Sequence, residues 1–271
     1  MDIHTSYISI CTGAGGLDLG VISATGGHAV PVCYVENEIT AAAILAARME
    51  EGNLPFAPIW SNVKSFNWEQ LAGQVDGIIG GYPCQPFSSA GTRHGTKDPR
   101  HLWPYIYEGI KTIKPEWVFF ENVPNHLSIG FNSVAQDLRN LGYIVKASLV
   151  TAKEVGAPHK RERLFFMGHT TSTRLQRLNN QQKSDTQGWK ATDGQDSKPG
   201  SAPSTFAPRP DDPEWANIPE RLHPARLKPD IRGMGNGMAS GMDLPYKERI
   251  RIVGNGVVPQ QAEKAWKILT S

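Results

Sequence analysis

A cysteine flanked on both sides by proline-containing sequence sits at the centre of GGYPCQPFSSAG, Gly80 to Gly91, directly after the apolar run DGII. A thiol reacts as its thiolate, and a loop stiffened by Pro83 and Pro86 at the end of a strand holds Cys84 ready to do so. The alternative reading is an inert buried thiol, but the neighbouring Gln85, Ser88 and Ser89 are poor core material. WVFFENVPN then brings Glu121 to the end of another strand-like run, so that a carboxyl group reaches the same sheet edge. APHKRERLFFMG places Arg161 and Arg163 two positions apart as a further strand begins, which points both to one face. On its own KRER reads as a solvated charge run. Only the company of the other segments makes it a candidate site, and a rigidly held thiol there is placed to act as a nucleophile.

The segment CTGAGGLDLG, Cys11 to Gly20, lies between a first strand and its helix. Thr12, Gly13, Gly15, Gly16 and Leu17 in this loop let the backbone approach a nucleotide-like ligand closely. Glu36 closes the second strand, where an acid commonly holds ribose hydroxyls. The spacing fits a nicotinamide dinucleotide as well as S-adenosylmethionine. With no basic residue in the glycine loop, it leans to the ligand without a pyrophosphate.

These residues need a scaffold that gathers strand ends. Short apolar runs rich in Val, Ile, Tyr and Phe alternate with helix-compatible segments from Ser6 to about His169, which predicts an α/β fold with a mostly parallel sheet. The predicted strands are Tyr7 to Cys11, Val32 to Glu36, Ile59 to Ser61, Gly77 to Gly80, Trp117 to Glu121, Ile144 to Thr151 and Leu164 to Gly168. Helical spacing covers Leu17 to Ala24, Ile39 to Glu50, His101 to Ile113 and Ser133 to Leu141, and returns at Ala262, Ala265, Trp266 and Leu269. From Thr170 to about Asp212 the chain is polar and poor in large apolar residues, a composition that buries no core of its own.

The 271 residues suffice for one large domain, alone or with a small appendage, and 28 Lys+Arg against 26 Asp+Glu leave a net charge of only +2. Any basic surface for nucleic acid must therefore be local. Cys11, Cys33 and Cys84 form neither a disulfide framework nor a metal-ligand spacing, so no metal is expected and a reducing compartment fits. Without a signal-like start or a bilayer-length apolar run, the expectation is a cytoplasmic protein that does not enter a membrane.

Together the chemical segments resemble the DNA (cytosine-5)-methyltransferase family in its small prokaryotic or phage form. The resemblance rests on Pro-Cys-Gln at 83–85, Glu-Asn-Val at 121–123, the Arg161/Arg163 pair with His159 where the family has Gln, and RIVGNGVVPQ at Arg251 to Gln260, similar to the family's Gly-Asn-x-Val-x-Pro element. It spans residues 6 to 169 and 246 to 269. It implies a Rossmann-like S-adenosylmethionine-dependent methyltransferase fold with a small irregular target-recognition region. Residues 1–169 would form the catalytic and cofactor-binding domain, 170–245 a short target-recognition region or linker, and 246–271 a segment returning to the catalytic domain. The implied cofactor site consists of Cys11, Thr12, Gly13, Gly15, Gly16, Leu17, Glu36, Asn37, Asn62, Val63, Pro83, Leu102, Asn255 and Val257. Cys11 replaces the family's phenylalanine, Asn37 stands where a large apolar residue is common, and Asn62 replaces an aspartate that faces the adenine amino group.

The same resemblance implies the reaction. Cys84 adds to carbon 6 of a flipped-out cytosine while Glu121 serves the ring nitrogen N3. Arg163 holds the carbonyl oxygen, and Arg161 lies nearer the phosphate. Gln85, Ser88, Arg93, Lys97 and Arg100 contact DNA, the loop closing over the extruded base. Double-stranded DNA is the implied partner, with the enzyme a monomer acting in restriction-modification or alone. Three alternatives compete. An RNA cytosine methyltransferase would carry a Cys-Phe-Thr signature, which is not found here; a catalytically silent DNA-binding relative would not need Cys84, Glu121 and both arginines; a dehydrogenase would leave the Pro-Cys-Gln and Glu-Asn-Val pair unexplained.

Overall fold

In a computed structural model of the chain, the described residues are 4–83, 102–171, 251–252 and 254–271. Strand β1 (Thr5–Ile10) leads through the glycine loop into α1 (Gly16–Ala24), and β2 (Ala29–Val35) into α2 (Ile39–Glu50). Then come the two-residue β3 (Ile59–Trp60), β4 (Gly77–Gly80), α3 (Trp103–Ile113), β5 (Trp117–Asn122) and α4 (Phe131–Asn140). The hairpin of β6 (Ile144–Thr151) and β7 (Glu162–His169) and the final helix α5 (Pro259–Thr270) complete the order.

The sheet has seven strands in the order β3-β2-β1-β4-β5-β7-β6. Strands β1 to β5 pair in parallel, while β7 runs antiparallel to both β5 and β6. The central strands read as almost unbroken apolar runs because helices cover both faces. Alternate residues sort the core into two layers. Ile8, Ile10, Ile78, Val118, Phe120 and Phe166 pack with α3 and α4, whereas Tyr7, Ile79, Phe119, Phe165 and Met167 pack with α1 and α5.

Chain order reverses between β1, whose other neighbour is β2, and β4, which leads on to β5. Ligands of open α/β sheets sit beyond the carboxyl ends of the strands at such a switch point. Parallel pairing therefore delivers to one edge the glycine loop from β1, Glu36 after β2, residues 81–83 after β4 and Glu121 near the end of β5.

Helix α1 meets α5 almost backbone to backbone. A Cβ on Gly16 would lie 2.2 Å from the Val257 carbonyl oxygen, and one on Gly20 would lie 2.4 Å from the Ala262 Cβ. Two glycines four residues apart thus make a flat stripe on α1, and Ala262 and Ala265 supply the matching face. Sequence distant in the chain is in this way fastened behind the glycine loop.

Several elements start elsewhere than the sequence reading expected, among them β1 at Thr5, α4 at Phe131 and β7 at Glu162. Strand β2 begins at Ala29 and passes through Pro31, opposite Tyr7, where the register with β1 slips by one residue. Proline cannot donate to the ladder, and the slip accommodates it. Helix α3 is described from Trp103, with Leu102 at its cap and Pro104 in the first turn, so the expected start at His101 falls outside the described residues.

Candidate active site

Glu121 lies near the carboxyl end of β5, a strand whose six residues are all buried. Its Oε1 receives the Arg163 Nε at 2.9 Å. The pair forms because β5 and β7 run antiparallel with Glu121 opposite Phe165, which carries the start of β7 past the carboxyl group. Arg163 also donates from Nη1 to the Glu162 carbonyl oxygen at 2.9 Å, which fixes the plane of its guanidinium. Burial pushes the Glu121 carboxyl up to about 7, with Arg163 first and Arg161 second pulling it back. The group is thereby poised between acid and carboxylate at neutral pH, the condition a general acid needs. A Cβ on Gly81 would come within 3.2 Å of Glu121 Oε2, so a residue without a side chain keeps that oxygen uncrowded.

Arg161 lies where β7 is about to begin. It has a positive φ of 24°, and its Nη2 donates to the Gly256 carbonyl oxygen. Its own carbonyl oxygen accepts from Gln261 Nε2 at 2.8 Å, while the same amide nitrogen reaches the Val150 carbonyl oxygen at 2.9 Å. Arg161 thus ties the approach to β7 to the segment before α5, even as its charge acts on Glu121. His159, at the family's Gln position, is exposed.

At the cofactor end, the glycine loop turns through left-handed residues Cys11, Gly13 and Gly15, with φ of 49°, 58° and 75°. Gly13 donates its N–H to Glu36 Oε2 at 2.7 Å, and Glu38 donates its N–H to Glu36 Oε1 at 2.8 Å. A Cβ on Gly13 would meet nothing within 4 Å, so the turn faces open space. A carboxylate has about four acceptor positions, so Glu36 keeps capacity for ribose hydroxyls after receiving both amides. Cys11, Val63 and Leu102 border one apolar cluster, an arrangement suited to the face of a purine. The described residues thus fit an adenosine-bearing ligand. Asn62 uses its side-chain oxygen to cap a short turn by accepting from the Lys64 N–H at 3.0 Å, leaving one lone pair on that oxygen for an adenine amino group. Asn37 and Asn255 are exposed, Thr12 and Leu17 are buried, and Val257 packs against Gly16. Pro83 is exposed where the described residues stop after β4. Cys84, Gln85, Ser88, Arg93, Lys97 and Arg100 lie outside the described residues.

The sequence reading missed several polar residues of this region. Asn122 Nδ2 donates to the Tyr82 carbonyl oxygen at 3.1 Å, and the Tyr82 hydroxyl meets His126 Nε2 at 3.0 Å. Asp18, fully buried on α1, accepts from the Tyr7 hydroxyl at 3.2 Å and from Ser9 Oγ at 3.0 Å, and so holds the helix behind the glycine loop to β1. Burial pushes its carboxyl up to about 7. Asp18 lies within an apolar run and Asn122 at the end of one, which was the available signal for those two; Tyr82 and His126 had none.

Residues 5–205 match the family model described as C-5 cytosine-specific DNA methylase. This chain belongs to that family. Among curated relatives, the Type II methyltransferase M.NgoPII of Neisseria gonorrhoeae is 33% identical over 166 residues, covering 59% of this chain and 47% of the relative. The Type II methyltransferase M.FnuDI of Fusobacterium nucleatum is 35% identical over 166 residues, covering 59% and 46%. The chain spans about half the length of the curated relatives it matches. A crystal structure of a prophage-encoded Escherichia coli protein described as a DNA modification methyltransferase aligns with a TM-score of 0.51 at 29% identity, over 63% of this chain and 48% of that one. The methyltransferase EhMeth of Entamoeba histolytica aligns with a TM-score of 0.64 over 99% of this chain and 97% of its own, at 15% identity, a likeness of fold alone. The mostly parallel α/β sheet is accordingly that of S-adenosylmethionine-dependent methyltransferases. Among the described residues no cluster of side chains could hold a metal ion, and no helix is long and apolar enough to cross a membrane.

Proposed function

We propose that this chain transfers a methyl group from S-adenosylmethionine to carbon 5 of a cytosine in double-stranded DNA. The observation that carries the proposal is the buried Glu121 carboxyl group paired with the partly buried Arg163, set at the strand end next to the one that leads into Pro-Cys-Gln, in a member of this family. Carbon 5 of cytosine is a weak nucleophile. Addition of the Cys84 thiolate to carbon 6, with a proton or hydrogen bond delivered to N3 by Glu121, turns the ring into an enamine and divides one difficult substitution into easier steps. When bound, S-adenosylmethionine supplies the electrophilic methyl group. Loss of the carbon 5 proton to solvent, departure of Cys84 as the thiolate and return of the N3 proton to Glu121 then restore the aromatic ring and the starting enzyme.

Arg163 holds Glu121 in place and, in the proposed complex, turns toward the carbonyl oxygen of the base. Arg161 anchors the returning C-terminal segment and adds positive potential. A base within a duplex cannot be reached from both faces of its ring, so the target nucleotide is extruded. Residues 1–169 form the catalytic and cofactor-binding part, 170–245 the region that reads the target or links the parts, and 246–271 the returning segment. Gln85, Ser88, Arg93, Lys97 and Arg100 follow the nucleophile in sequence and are assigned to DNA contacts.

Glu36, Gly13 and the half-buried Cys11 and Leu102 would hold the adenosine portion of the cofactor. Glu36→Gln removes the negative charge that receives two backbone amides and faces the ligand. It is expected to weaken S-adenosylmethionine binding about tenfold or more, roughly 1.4 kcal/mol, in a calorimetric titration. An unchanged dissociation constant would remove Glu36 from the site.

The reaction itself is tested by incubating the chain with methyl-labelled S-adenosylmethionine and, in parallel, duplex DNA or RNA, then mapping modified bases. Label on carbon 5 of cytosine within a defined sequence is expected. Label on RNA alone, or binding to DNA without transfer, would overturn the reading.

A further inference from the structure

The hydrogen bonds around Tyr82 place two anchors on the residue two positions before Cys84, and both come from the segment that bears Glu121. Strand β4 pairs with β5 up to Gly80 opposite Phe120, after which the ladder ends. Asn122 then takes over by donating its side-chain amide to the Tyr82 carbonyl oxygen, while its own Oδ1 accepts the Val123 N–H at 2.9 Å. The Tyr82 ring is buried, 5% exposed, among Trp103, Phe120, His126 and Phe166. Its hydroxyl reaches His126 Nε2 at 3.0 Å, and His126 Nδ1 lies 3.2 Å from the Ile129 carbonyl oxygen.

The direction of this chain of bonds follows from its far end. A carbonyl oxygen only accepts, so Nδ1 carries the proton. In the neutral ring Nε2 is then an acceptor, and the Tyr82 hydroxyl donates to it. Burial of His126, 3% exposed, favours that neutral ring and holds its pKa below the ordinary value.

We infer that the Tyr82–His126 hydrogen bond is a positioning device that sets the path of the chain into Cys84 relative to Glu121. Pro83 transmits it: its fixed φ leaves little slack between a clamped Tyr82 and the next residue. The carboxyl group, the amide of Asn122 and the imidazole of His126 all lie within residues 121–126, so one short segment carries the acid and holds Tyr82, two positions before the nucleophile. Neither Tyr82 nor His126 is a catalytic residue in this account; each acts through Cys84, and the inference rests on the functional reading above.

Tyr82→Phe deletes only the hydroxyl and keeps the ring contacts. With methyl transfer and adduct formation on 5-fluorocytosine DNA followed in single turnovers, it is expected to slow both about three- to tenfold, the loss that follows from one hydrogen bond. Affinity for S-adenosylmethionine and for DNA stays at the wild-type value. His126→Asn keeps an amide near the position of Nδ1 but withdraws the acceptor from Tyr82, and is expected to match Tyr82→Phe. His126→Gln restores an acceptor near Nε2 and is expected to recover most of the rate. The double variant Tyr82→Phe/His126→Asn should be no slower than either single change.

A role confined to core stability would lower the melting temperature and leave the single-turnover rate of the folded protein unchanged; that result overturns the inference. So does a wild-type adduct rate in Tyr82→Phe, while leaving the proposed reaction intact. If the wild-type chain itself forms no adduct, the functional reading falls and this inference with it.

Discussion

Glu121→Gln is expected to slow methyl transfer by roughly 10²- to 10⁴-fold, the range spanned by positioned general acids, and to abolish one limb of the pH profile. Burial holds the Glu121 carboxyl up to about 7 instead of the ordinary 4.5. Below that value it is protonated and can serve N3; above it, it ionises and is bound as a carboxylate by Arg163. The wild-type single-turnover rate should therefore fall as pH rises through about 7, and the variant, whose amide can donate a hydrogen bond but not transfer a proton, should lack that fall. The linkage to stability has the same sign. The folded chain keeps this proton over an interval in which the unfolded chain has lost it, so the group costs stability as pH rises from about 4.5 to 7, and below 4.5 the cost is absent. Substitution should flatten that dependence in thermal unfolding. Removing one member of a buried ion pair can cost about 3–5 kcal/mol, although the glutamine oxygen still accepts from Arg163, so rates are compared at temperatures where both proteins are folded. An unchanged rate with an unchanged pH profile would exclude Glu121 as the acid.

Cys84→Ala is expected to bring methyl transfer below detection, a loss on the order of 10⁴-fold or more, because the addition to carbon 6 that makes carbon 5 nucleophilic is then lost. DNA binding should persist, since the phosphate and base contacts that supply affinity do not depend on the thiol. The combination separates a nucleophile from a scaffold residue: a cysteine needed only for packing would reduce binding and stability along with turnover. Residual methylation near the wild-type rate would place the chemistry elsewhere.

The parallel core and the strand ends that converge on the site were legible because apolar runs such as WVFF and the glycine loop announce themselves locally. What was not legible depends on pairing. The Glu121–Arg163 bond exists because β7 inserts antiparallel beside β5, and no local pattern in RLFFMG encodes that neighbour. Arg161 was read by alternation as a companion of Arg163, yet its guanidinium reaches Gly256, 95 residues away in the chain. Tyr82 and His126, 44 residues apart, each look like an incidental polar residue until the sheet brings them together. The late reading of the β2 start has a local cause: Pro31 suggests the edge of a strand, whereas the chain keeps the strand by slipping its register there.

The most direct test of the central claim is to mix the chain with S-adenosylmethionine and a duplex carrying 5-fluorocytosine at the mapped target, then digest the product and identify the modified peptide by mass spectrometry. Fluorine at carbon 5 blocks the final elimination, so the account predicts a stable, methylated DNA adduct on the peptide containing Cys84, absent from Cys84→Ala. Full turnover on ordinary cytosine without any adduct at that sulfur would contradict it.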